Sequence, residues 1–110
     1  QVTMNDYDVA VRFTVPDDFD SWQANAIQLD YKVSNAGNAN VTANTYSESS
    51  GTPLATLAAS TATTWTQVSL ASNTDLATLT AGQTAVIVIK VSAQNDATVQ
   101  LGDITINYNK

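Results

Sequence analysis

The side chains with the most chemistry to offer in this 110-residue sequence are an acidic run, Asp17-Asp18-Phe19-Asp20, and a scatter of tryptophans and tyrosines. Carboxylate oxygens suit Ca²⁺, a hard cation that takes roughly six to eight oxygen ligands. Asp17, Asp18 and Asp20 are the candidate ligands, joined by Asn5-Asp6, Asn95-Asp96 and Asp103 if the loops carrying them converge at one end of the fold. The competing role is local, because Asp initiates turns and Pro16-Asp17-Asp18 is turn chemistry. The run also lacks the central Gly and closing Glu of an EF-hand loop. Aromatic faces pack on the C–H surfaces of pyranose rings, so Trp22, Trp65, Tyr7, Tyr31, Tyr46 and Tyr108 are the residues to examine for glycan binding. Tyr31 and Tyr108 fall in phase with core positions. Trp65 follows a Thr-rich turn, where an aromatic is expected to plug the core. Trp22 and Tyr46 remain as the candidate glycan-binding pair, with packing in the core or at a corner as the competing role.

Catalysis is addressed by what is missing. The chain has no histidine and no cysteine, which removes the usual general base near neutral pH, the commonest metal ligand and a thiol nucleophile. Glu48 is the sole glutamate and sits in a Ser/Gly-rich stretch. A glycosidase would have to use aspartate pairs, one of them raised in pKa by an apolar pocket. The sequence contains no G-x-S-x-G, P-loop or H-E-x-x-H motif. No enzymatic activity, no catalytic residue and no organic cofactor are expected.

Net charge narrows the partners further. The chain carries −6 at neutral pH with only Arg12, Lys32, Lys90 and Lys110 as basic residues. Nucleic-acid affinity rests on Lys and Arg neutralising phosphates, so such a partner is not expected. An anionic membrane surface would repel the chain, and no segment approaches the ~20 apolar residues that span a bilayer. Charged residues amount to 13%, against about 25% in ordinary soluble domains. Thr, Ser, Asn, Gln and Ala replace them, a low-charge surface that suits an extracellular, cell-surface or virion setting. The chain opens with Gln1, which is read as a processed form, an excised domain or a fragment.

Period-two alternation dominates the elements that must position these groups. Val9, Val11, Phe13 and Val15 alternate with polar residues over residues 7–15, and Pro16 ends that strand. Ile27, Leu29, Tyr31 and Val33 define a second. Residues 40–46, a short 54–58, 64–70 and the apolar 84–92 read as further strands, the last of them central. Residues 76–80 are ambiguous between loop and one helical turn. In the last segment Val99 and Leu101 are odd but Ile104, Ile106 and Tyr108 are even. A β-bulge at Gly102 restores the inward phase, so residues 98–109 form one bent strand or two short ones. Seven to nine short strands with frequent turns predict a single all-β domain over residues 1–110, an antiparallel β-sandwich. Jelly-roll topology is preferred over an immunoglobulin-like one. Residues 1–6, with Val2 and Met4 in alternation, form an N-terminal extension or a strand donated to a neighbouring subunit's sheet.

Several stretches together carry a resemblance. They are Phe13-Thr14-Val15-Pro16-Asp17-Asp18-Phe19-Asp20-Ser21-Trp22, then Asn25-Ala26-Ile27-Gln28-Leu29-Asp30-Tyr31, and Thr64-Trp65-Thr66. Ala81-Gly82-Gln83-Thr84-Ala85-Val86-Ile87 and Leu101-Gly102-Asp103-Ile104-Thr105-Ile106-Asn107-Tyr108 complete the set. In this order they resemble β-sandwich domains, of jelly-roll type, in bacterial surface and filament proteins and in phage virion or fibre proteins. The resemblance implies a structural subunit or repeat domain that assembles with copies of itself, and it brings no functional residues with it. The Trp65 and Gly102-Asp103-Ile104 segments also look like jelly-roll carbohydrate-binding modules, which implies a glycan-binding or adhesin-type alternative.

Overall fold

Strands form wherever apolar and polar residues alternate, because each such segment can bury one face and solvate the other. The computed structural model describes residues 5–110 and contains seven strands, with no helix among the described residues. They are β1 (Asn5–Thr14), β2 (Ser21–Val33), β3 (Ala39–Ser47), β4 (Ala55–Ser60), β5 (Thr66–Ser72), β6 (Thr84–Ala93) and β7 (Val99–Asn109). The order β1-β6-β3-β4 makes a four-stranded sheet and β5-β2-β7 a three-stranded one. Every pairing is antiparallel. The arrangement is all-β and consistent with a β-sandwich.

The core lies between the two sheets. Ala39, Val41, Ala43 and Thr45 of β3 face inward beside their register partners on β6, among them Ile87 and Ile89. Ile27, Leu29, Tyr31 and Val33 of β2 supply the opposing layer, all buried. Each fully buried Ile, Leu or Val contributes about 1.5–3 kcal/mol relative to leaving it in water. As the alternation predicts, β6 is interior to its sheet, flanked by β1 and β3.

The expected bulge in the last strand is present. Leu29 pairs with Ile104 and Tyr31 with Leu101, so Gly102 and Asp103 together oppose Asp30. The extra residue is what keeps both Leu101 and Ile104 against the core.

Residues 76–80 do not become a helix. Ser72 Oγ accepts from the Asp75 amide (3.1 Å) while Asp75 Oδ2 accepts from the Ser72 amide (3.0 Å). This reciprocal pair resembles a helix capping box, yet only one four-residue backbone bond follows, Leu76 N–H to the Ser72 carbonyl at 3.2 Å. Leu76 and Leu79 are both buried. The segment is a cap that seats two leucines on the core.

The first two strands differ from their predicted form. β2 begins at Ser21, so Trp22 belongs to a strand and not to the preceding turn. Between Trp22 and Ile27 the ladder to β7 breaks register, with Trp22 opposite Tyr108 and Ile27 opposite Ile106. That irregular stretch puts Ala26 and Ile27, adjacent in sequence, both in the core. β1 has the predicted alternation, but Tyr7 and Val9 are exposed and only Val11 and Phe13 pack against the core.

Candidate functional site

Among the described residues three large apolar side chains are exposed: Tyr7 at 68%, Val9 at 41% and Trp65 at 54%. Isolated exposed apolar residues are ordinary, but clustered or carefully seated ones mark interaction surfaces. These three fall in two places.

Tyr7 and Val9 lie on one unfinished side of the fold. Their register partners on β6 are Val91 and Ile89, and Ile89 is buried inside. Cross-strand partners share a face, so Tyr7 and Val9 point the same way as the core. They are nevertheless exposed, because four strands lie over three. β4 abuts β5 and β6 abuts β7, which leaves β1 with no strand facing it among the described residues. The result is an apolar recess of about 280 Å³ lined by Tyr7, Val91, Ala93, Ala97, Thr98 and Val99. Among the described residues the outer edge of β7 carries no partner strand, and neither does that of β1. Further along, the 15–20 connection crosses from one sheet to the other: Val15 is buried, and Phe19 packs against the core with its ring centroid 6.1 Å from that of Tyr108 on β7. The open stretch is therefore the half near Tyr7.

Trp65 lies elsewhere, immediately before β5 and on the outer face of the three-stranded sheet. A Cβ built on Gly102 would sit 3.2 Å from Trp65 Cζ3 and 3.1 Å from Asp30 Cβ. The indole thus rests on the bulge, over the one position in β7 that lacks a side chain. Lys32 Nζ stands 5.9 Å from its ring centroid, within cation–π range. Asp30, Thr66 and Gln67 complete an open recess of about 340 Å³ beside the ring.

The sequence-predicted glycan residues fare differently. Trp22 is 8% exposed, its Nε1 donates to the Leu79 carbonyl at 3.0 Å, and its ring packs on Phe19 with centroids 4.7 Å apart. Burial and the committed N–H leave no free face for a sugar, which corrects the expected exposure. Tyr46 is half-buried on the outer face of the four-stranded sheet, opposite Val86, on a different sheet from Trp22. The two are not brought together. Trp65 corrects the reading in the other direction, being exposed and not a plug.

The aspartates do not form a calcium cage. Asp17 and Asp18 occupy a turn closed by the Phe19 amide donating to the Pro16 carbonyl at 3.1 Å. Asp18 is engaged by Lys110 Nζ at 3.6 Å and Tyr108 Oη at 3.5 Å. Asn5 and Asp6 pair with Ala93 and Ser92, at the end of β6 that leads to Asn95-Asp96, whereas residues 17–20 follow the other end of β1. The loops therefore do not converge, and Asp103 lies mid-strand in the bulge. Among the described residues no group of three or more acidic side chains is placed to hold a metal ion. Asn5 and Asp6 are part of β1 itself, and the assembly residues Val2 and Met4 lie outside the described residues.

No protein-family model matches this chain, and neither a curated protein nor a solved structure matches it.

Proposed function

We propose that this chain is a non-catalytic structural subunit or repeat domain of an extracellular filament, cell-surface assembly or virion, and that it assembles by accepting an extended strand from another copy at its open β1/β7 side. The observation that carries the reading is the exposure of Tyr7 and Val9 on the core-facing side of β1, beside a β7 edge that has no partner among the described residues. An unpaired edge offers a row of backbone donors and acceptors, and a strand added there satisfies them together. The same strand would cover the apolar recess and turn four-over-three into four-over-four. An eight-stranded sandwich fits the jelly-roll topology that the sequence favours, with the incoming strand as the eighth. The low-charge surface and the resemblance to bacterial surface, filament and virion domains support the setting.

Sedimentation over a wide concentration range, comparing the native sequence with Tyr7→Lys and Val9→Lys, tests this reading. Lysine on an edge strand blocks pairing. Self-association at least about tenfold weaker in each variant, ~1.4 kcal/mol, is the expected result. A native chain that stays monomeric throughout, or variants that associate equally well, would overturn it.

A further inference from the structure

We infer that the outer face of the three-stranded sheet holds a carbohydrate-binding site centred on Trp65, for pyranose rings whose substituents are all equatorial, as in β-linked chains of glucose or N-acetylglucosamine. The site is separate from the β1/β7 side and does not depend on the assembly reading.

The argument begins with the cost of the arrangement. A tryptophan that is 54% exposed on a polar sheet face keeps a large apolar surface in water. The strand phase dictates that position: Thr66, Val68 and Leu70 turn toward the core, while Gln67 and Ser69 turn outward with Trp65. The neighbouring strand is adapted to it. β7 bulges at Gly102-Asp103, and the glycine leaves room for the indole to lie against the sheet; any side chain there would press on Cζ3 from 3.2 Å. Bulges recur where a sheet must re-aim a side chain for function.

The surroundings match the chemistry of a sugar. A pyranose with equatorial substituents presents flat patches of axial C–H bonds, which pack on an indole face, and a rim of hydroxyls. Asp30 and Gln67 are register partners on the same outer face, as are Lys32 and Gln100. The carboxylate accepts from hydroxyls, the ammonium donates to them, and the two amides do both. Lys32, at 5.9 Å from the ring centroid, links this polar rim to the aromatic platform. The recess beside Trp65 is open and shallow, which suits a chain crossing the sheet better than an enclosed small molecule.

The two tryptophans make the test clean. In an NMR titration, Trp22 Nε1–H is held by the Leu79 carbonyl and reports folding, while the Trp65 indole reports the site. With cellohexaose and chitohexaose as probes, the expected result is a saturable shift of the Trp65 resonance with Trp22 unmoved. Sorbitol, which has hydroxyls but no ring, is expected to give none. Trp65→Ala and Gly102→Val are each expected to weaken binding at least about tenfold, with the Trp22 resonance in its native position. Asp30→Asn, which leaves the platform in place, gives a milder loss. If neither oligosaccharide shifts Trp65 at about 10 mM, where a binder with a Kd of about 1 mM would be roughly 90% saturated, the inference is wrong. It is equally wrong if sorbitol acts alike, or if folded Trp65→Ala binds as the native chain does.

Discussion

The two long sides of this sandwich are finished differently. On the β4/β5 side the chain crosses between the sheets and is fastened on the way. Ala62 donates its amide to Tyr31 Oη at 2.9 Å and its carbonyl accepts from the Val33 amide at 2.9 Å. Leu54, Leu57 and Ala62 pack onto the core there. On the β1/β7 side, near Tyr7, the 94–98 connection crosses at the end of the sheets but leaves a recess open: among the described residues the outer edges of β1 and β7 have no partner strand, and Tyr7 and Val9 meet water. Both sides use the same alternating residue pattern. What separates them is whether the chain itself supplies the covering segment, and the comparison teaches that an inward-pointing apolar residue is buried only if a second layer reaches it.

Substitutions can break this contrast, and the core common to both sides sets the scale. Ile87→Ala, at a fully buried position of β6, is expected to cost about 2–5 kcal/mol by chemical denaturation. On the closed side, Tyr31→Phe removes the acceptor for the Ala62 amide and leaves a part-buried donor unpaired. A loss of about 1–3 kcal/mol is expected from the same measurement. On the open side, Val9→Lys is expected to change stability by no more than ~0.5 kcal/mol, because the side chain is already in water. A Val9→Lys cost as large as that of Tyr31→Phe would erase the distinction between the sides.

The strands were largely legible in the sequence because period-two alternation reports them directly. Even the bulge at Gly102 could be read, since the apolar phase changes there. The two tryptophans were not placed correctly, for different reasons. Trp22 is carried inward by the register break over residues 23–26, and nothing in the alternation of Ile27 to Val33 announces that break. Its carbonyl partner, Leu79, lies far along the chain. Trp65 was readable: it shares parity with Gln67 and Ser69, not with Val68 and Leu70, and that parity outweighs the general tendency of aromatics to plug a core. The exposure of Tyr7 and Val9 could not be read from alternation, because it depends on how many strands the opposite sheet contains.

The central claim is that the free edge of β7 accepts a strand from another copy, and backbone hydrogen exchange resolved by residue tests it most directly. Amides of β7 that face away from β2 have no partner strand among the described residues and are expected to exchange fast when dilute. Raising the protein concentration is predicted to protect those amides, in alternation along β7, while the β4 edge stays unchanged. Association that leaves the β7 edge unprotected, or protection that appears on β4 instead, would contradict the account.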